Sequence, residues 1–368
     1  MRRTTWALAL GVLLAAGAAR ADSAWTGGDD LPTSPLACDG TAAAVAAKPY
    51  DGGTPTGAPD RAGKPLTVVD IPKLIGIGYF NATSKGIADA AKELGNVSAK
   101  TDGPTKANID EQITFIDNTI TSGVDGILFA ANDPVAIAPV LKKALSKGIN
   151  VVGYDANSTP DARQWFVNQA EFNGIAKSLI DNLAKEIGED GSFAIVTSTF
   201  TTPNQARWIA EMAAYAEKCH PKLKWLETVE AQEDNILSFN QATTLINKHG
   251  DELKGIVGMT SVATPASAEA VTQAGKCGSI AVVGLATPNA MKPYVAKDCV
   301  KSVVLWNPVD LGYAAMYVLR AVADGTLKPG ATSVKAGKLG DLQVVNGSEI
   351  LLGAPFVFTK ANIDKFDF

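Results

Sequence analysis

Histidine is scarce in this chain: only His220 and His249 stand among 368 residues. That scarcity argues against a histidine-centred catalytic triad and, since no close cysteine pair accompanies either residue, against a zinc centre. A nucleophile elbow and a phosphate-binding loop are also missing, so acyl and phosphoryl transfer have no recognisable seat. Basic clusters are lacking too, and 33 Lys and Arg against 38 Asp and Glu leave a formal net charge of -5. No nucleic-acid partner is expected from such a balance. Past residue 21, no apolar run is long enough to cross a bilayer. These absences favour a protein that binds rather than transforms, with no cofactor, no metal and no enzymatic activity expected. A lone acidic pair working as a glycosidase is the remaining catalytic reading.

What is present starts with a targeting pattern. Arg2 and Arg3 precede an apolar run at 6–19, and Ala19-Arg20-Ala21 has the small-residue spacing of a cleavage site. Residues 1–21 are thus expected to be a signal peptide cleaved after Ala21, which places the mature chain in the periplasm. A transcription regulator on a two-lobed fold would carry a basic DNA-binding helix at that place instead. Residues 22–65 are rich in Gly, Pro, Ala and Thr with no sustained period, and are expected to form a flexible leader without chemistry. Cys38 follows Leu36 and Ala37, but the apolar run of a lipoprotein signal is lacking.

Beyond the leader, short β-branched runs alternate with amphipathic stretches, the signature of parallel strands with helices on both faces. The chain reads as α/β, two doubly wound parallel-sheet lobes in tandem. The expected division is 66–169 with 307–340 for the first lobe and 170–306 with 341–368 for the second. Four cysteines in an exported chain permit disulfides. Cys277 precedes a strand expected at 279–285 and Cys299 one at 300–306. If those strands are parallel neighbours, both sulfurs lie at one edge, so a Cys277–Cys299 bridge is expected. The pairing of Cys38 and Cys219 stays open.

In open α/β sheets the ligand crevice lies at the C-terminal strand ends. There the sequence places Asp155, after a buried strand at 149–153, and Lys73, after a strand at 66–71. Asn204 and Gln205 open a helix at another such end, and Met259 and Ser261 follow a strand at 255–257. Asp155 offers acceptors for hydroxyl protons, Lys73 a cationic donor, the amides both, and Met259 an apolar face. Each has a plainer role: turn capping for Asp155, solvation for Lys73, N-capping for Asn204, core packing for Met259. Phe80 and Tyr154 are candidates for stacking on a ligand, with Tyr79 and Trp165 behind them; Trp208 and Trp225 are assigned to the core. Asn307 and Asp310 either bond ligand or stabilise the chain's return to the first lobe. Arg163 either reaches a ligand oxygen or pairs with a carboxylate near the hinge.

Several segments, in order, resemble the type I periplasmic sugar-binding proteins of ABC importers. They are IPKLIGIGYF at 71–80, NDPVAIAPVLKKAL at 132–145, PDARQWFVNQA at 160–170, TPNAMKPYV at 287–295, VVLWNPVDLGYAA at 303–315 and FTKANIDKFDF at 358–368. Together they look like the branch holding rhamnose-binding proteins and autoinducer-2 receptors. The resemblance implies two lobes joined by a three-segment hinge, capture of a small sugar by lobe closure, and delivery to an inner-membrane permease, with a chemoreceptor as a possible further partner. Lys73, Asp155 and Gln205 match the receptor pattern. Asn204 replaces an acid there, and Met259 and Ser261 replace a proline and an alanine. A rhamnose-like deoxyhexose is therefore the expected ligand, and autoinducer-2 the alternative.

Overall fold

The computed structural model describes residues 33–42 and 48–368. The signal peptide expected at 1–21, and part of the leader, lie outside the described residues.

The first lobe opens with β1 (Leu66–Ile71), α1 (Gly78–Leu94), β2 (Val97–Thr101), α2 (Ile109–Thr121), β3 (Gly126–Phe129), α3 (Ala138–Ser146), β4 (Asn150–Tyr154) and β5 (Trp165–Asn168). The central strands β3 and β4 are buried along their whole length, as continuous apolar runs in a doubly covered parallel sheet must be. Asn108 starts α2 by accepting the Glu111 N–H. Helix α3 begins only at Ala138, because the Asp133 carboxylate holds the Val135 and Ala136 N–H groups in a turn ahead of it.

The second lobe carries α4 (Phe172–Ile187), β6 (Ser192–Thr197), α5 (Pro203–Cys219), β7 (Lys224–Glu230), α6 (Asn235–His249), β8 (Leu253–Gly258), α7 (Ala263–Gln273), β9 (Ala281–Gly284), α8 (Pro288–Ala296) and β10 (Ser302–Leu305). Its parallel sheet runs β7-β6-β8-β9, extended by a parallel bridge from Leu285 to Val304 in β10. Cys277 and Cys299, just ahead of these neighbouring strands, are disulfide-bonded.

The chain then returns to the first lobe in α9 (Pro308–Ala323), which packs along α1. Gly86 and Gly312 permit that approach: a Cβ on Gly312 would lie 2.0 Å from the Thr83 carbonyl oxygen. Strands β11 (Ser333–Lys335), β12 (Asp341–Asn346) and β13 (Glu349–Leu351) follow, and β14 (Phe356–Thr359) pairs antiparallel with β10. The larger sheet has the order β11-β12-β13-β5-β4-β3-β1-β2. The expected placement of 341–368 in the second lobe is thus corrected for 341–351, since β13 pairs with β5 and carries β12 with it. The edge that β5 would leave open is the physical reason, because an uncovered strand edge presents unpaired backbone groups. Three crossings join the lobes: β5 to α4, β10 to α9, and β13 to β14.

The expectation of a flexible leader fails for its described parts. Residues 33–42 are pinned to the second lobe by a Cys38–Cys219 disulfide and by the Ser34 N–H, which donates to Glu211 at 3.0 Å. Residues 48–65 lie on the first lobe. There the Gly53 N–H donates to the Arg163 carbonyl at 2.8 Å, and Arg61 reaches Asp125 at 3.0 Å and the Gly148 carbonyl at 2.8 Å. Periodic burial is absent from these stretches, so composition reads as loose chain, whereas cross-links and backbone bonds to the lobes fix them.

Candidate functional site

Both sheets direct their C-terminal strand ends at one another, and between them lies a half-open cavity with about 320 Å³ of empty space, open solvent included. Lys73, Tyr79, Phe80 and Asp155 line it from the first lobe; Asn204, Gln205, Trp208, Glu233, Met259, Thr260 and Ser261 line it from the second, with Leu305 and Trp306 at the crossing.

Asp155 directly follows β4 in a left-handed conformation, φ 60°, unusual for a residue with a side chain. Its Oδ1 accepts the Tyr79 hydroxyl at 2.8 Å and the Asn204 amide at 3.3 Å. Tyr79 is fixed in turn by the Trp306 indole N–H at 2.9 Å. Asp155 Oδ2, by contrast, is buried without a hydrogen-bond partner, though the Lys73 ammonium lies 3.6 Å away. An orphaned carboxylate oxygen facing a cavity is a ready acceptor, since leaving it unmade is costly.

Lys73 also donates to Glu233 Oε1 at 2.9 Å, joining the lobes by an ion pair. Glu233 and its neighbour Gln232 both have φ 51°. The loop is tied down where the Ala231 N–H donates to the Thr197 carbonyl at 2.8 Å and the Gln232 N–H to that of Ser198 at 2.9 Å. Strained backbone held by its surroundings is characteristic of ligand sites. Burial alone would lower the Lys73 pKa, but Glu233 and Asp155 beside it outweigh that and raise it. Burial raises the Asp155 pKa, against the opposing pull of Lys73 and Tyr79. Beneath the site, Asp70 is pushed up to about 7 by burial, although Tyr154 and Thr101 donate to it.

Gln205 accepts the Thr197 hydroxyl at 2.6 Å and the Ser198 N–H at 2.8 Å, and its amide donates to Glu233 at 3.3 Å. The Phe80 ring lies 5.7 Å from the Lys73 ammonium. Lys73, Phe80, Asp155, Asn204, Gln205, Met259 and Ser261 are therefore gathered at one cavity. Tyr154 is not: it is fully buried and its hydroxyl donates to Asp70 at 2.9 Å. Asn307 is also elsewhere, capping α9 by accepting from Val309 and Asp310 and donating to Asp310. Trp165 packs on Tyr50, ring centroids 5.1 Å apart, and Arg163 bonds Asn157 and Ser348 rather than the cavity.

Trp208, assigned to the core from sequence, lines the cavity with its indole N–H unpartnered and lies 5.6 Å from Trp306. Its spacing held the signal: Trp208 lies three and four residues beyond Gln205 and Asn204, on the same helix face. Glu233 and Trp306 were missed too. Among the described residues no cluster of three metal-ligating side chains is gathered, and no helix is long and apolar enough to cross a membrane.

A cavity between two doubly wound lobes joined by three crossings is matched by the sequence profile of the periplasmic binding protein domain over residues 68–327. The chain belongs to the periplasmic binding protein family. Among curated relatives of this periplasmic binding protein, the D-ribose/D-allose-binding protein of Pseudomonas aeruginosa is 30% identical over 196 residues. That match spans 51% of this chain and 60% of the relative, short of two thirds of its length. The D-allose-binding periplasmic protein of Escherichia coli is 25% identical over 64% of this chain and 77% of its own. A solute-binding protein of an ABC transporter from Clostridium phytofermentas, solved with L-rhamnose, superposes with a TM-score of 0.79 at 29% identity, covering 82% of this chain and 98% of that one. LsrB from Clostridium saccharobutylicum, solved with AI-2, shares the fold at 23% identity and a TM-score of 0.77, covering 82% of this chain and 100% of that one.

Proposed function

We propose that this protein captures a small monosaccharide between its lobes in the periplasm and hands it, chemically unaltered, to an inner-membrane ABC permease. The observation that carries this reading is the half-open cavity between the lobes, where Asp155 Oδ2 and the Trp208 N–H have no hydrogen-bond partner. Together they offer a hydroxyl acceptor and a donor beside the aromatic faces of Phe80 and Trp306, the mixture a sugar ring requires. Lys73, Asp155, Asn204, Gln205, Trp208, Glu233, Met259 and Ser261 are the proposed contacts. Capture shifts the lobes toward the closed arrangement without a covalent step. A rhamnose-like deoxyhexose is the first choice of ligand; the relative solved with L-rhamnose and the departures at Asn204, Met259 and Ser261 from the receptor pattern support it over autoinducer-2. A signal peptide at 1–21, and recognition of the closed form by a chemoreceptor, belong to the same reading. Thermal-shift screening of L-rhamnose, D-ribose, D-allose, other pentoses and hexoses and autoinducer-2 tests it. A sugar should raise Tm in a saturable manner. No shift with any sugar, or turnover of a bound one, contradicts the reading.

A further inference from the structure

We propose that Glu233 sets the charge class of the ligand, so that the cleft accepts an uncharged or amine-bearing sugar and rejects the same ring carrying a carboxylate or phosphate. This rests on the sugar-binding reading and narrows it. The residues lining the cavity supply two carboxylates, Asp155 and Glu233, and one cation, Lys73. Lys73 is already committed, 2.9 Å from Glu233 and 3.6 Å from Asp155. Arg163, the other buried cation near the hinge, points its guanidinium at Asn157 and Ser348. The fork that recognises an anion bidentately is therefore missing from this cavity.

An anionic ligand would have to take Lys73 away from Glu233. That would strand a carboxylate only 7% exposed, the arrangement that is most costly in a protein interior. Glu233 has no easy retreat. Its left-handed backbone is anchored through Ala231 and Gln232 to the end of β6, and its Oε1 also accepts the Gln205 amide. Asp155 Oδ2, with the Lys73 ammonium 3.6 Å away but no hydrogen bond, likewise takes a proton donor, which a hydroxyl or an ammonium supplies and a carboxylate does not. Because Glu233 comes from the second lobe and Lys73 and Asp155 from the first, the selection is made as the lobes meet. The charge of the ligand is then tested by closure itself.

Calorimetric titration with ring-matched pairs provides the test: L-rhamnose with L-mannuronate, D-allose with D-allose 6-phosphate, D-galactose with D-galacturonate and D-galactosamine, D-glucose with D-glucuronate, and D-ribose with ribose 5-phosphate. For whichever ring binds, the acid should bind at least about a hundredfold more weakly than its uncharged partner, and the amine within about tenfold of it. Glu233→Gln, with its fold checked by circular dichroism, should narrow the gap between acid and neutral sugar at least tenfold. An acid bound within tenfold of its neutral partner by the wild-type protein overturns the assignment, whatever the variant does. So does a gap that Glu233→Gln leaves unchanged, which would assign exclusion to shape. If no uncharged sugar of the panel binds, the sugar-binding reading fails and the charge assignment falls with it; if neutral sugars bind but acids bind equally, only the role of Glu233 is lost.

Discussion

Two acids at strand ends of the first lobe have different tasks. Asp155 directly follows β4 and lines the cavity, while Asp70, one residue from the end of β1, lies beneath it and receives the Tyr154 hydroxyl. With its pKa pushed up to about 7, folded Asp70 keeps a proton that the unfolded chain releases near pH 4. The folded state therefore binds more protons than the unfolded one between these values. Stability from this group is fully present below about pH 4, is lost as pH rises toward about 7, and is level above that. Asp70→Asn should flatten this slope, gaining on the order of 1–3 kcal/mol at pH 8 relative to pH 5 against wild type. Thermal melts at pH 5, 6, 7 and 8 measure it, and parallel slopes for the two proteins would count against the role of Asp70. The strand-end rule made Lys73, Asp155, Asn204, Gln205, Met259 and Ser261 legible from sequence. Tyr154 is the last residue of β4, its side chain standing on a face of the sheet, whereas Asp155 is the first residue beyond the strand end, a signal within reach. Asn307 before Pro308 likewise carried the pattern of an N-cap followed by a proline at the first helical position. Glu233 was not legible: it stands between Gln232 and Asp234 in a polar stretch, and only the meeting of the two lobes buries it.

Elements were easier to read than their ends. Continuous apolar runs marked the central strands, but β9 and β10 are shorter than expected. The close packing of α1 on α9 could not be read from periodicity, because it depends on matching Gly86 with Gly312 across more than two hundred residues. A Cβ at Gly86 would fall 1.8 Å from the Val309 carbonyl oxygen, so neither helix can gain a methyl group without moving. Gly312→Ala should therefore destabilise the fold by roughly 1–3 kcal/mol, despite the better helix propensity of alanine. Denaturant unfolding followed by far-UV circular dichroism measures the change. A variant as stable as wild type would show that the helices separate freely. The described parts of the leader were misread for a related reason: their anchors are a disulfide spanning 181 residues and backbone bonds to remote loops, neither of which leaves a local pattern.

At the scale of the whole molecule, two α/β lobes meet across a cavity whose closing contacts bridge them: Lys73 to Glu233, and Asn204 to Asp155. Three crossings and a leader attached to both lobes confine the relative motion available to them. The account requires that a ligand hydroxyl complete the Asp155 carboxylate and thereby favour closure. Calorimetry of wild type and Asp155→Ala, using the sugar that gives the largest thermal shift, tests this requirement most directly. The account predicts one site per chain and at least about tenfold weaker binding by the variant, the scale of losing a charge-assisted hydrogen bond. Equal affinity for the two proteins would contradict it.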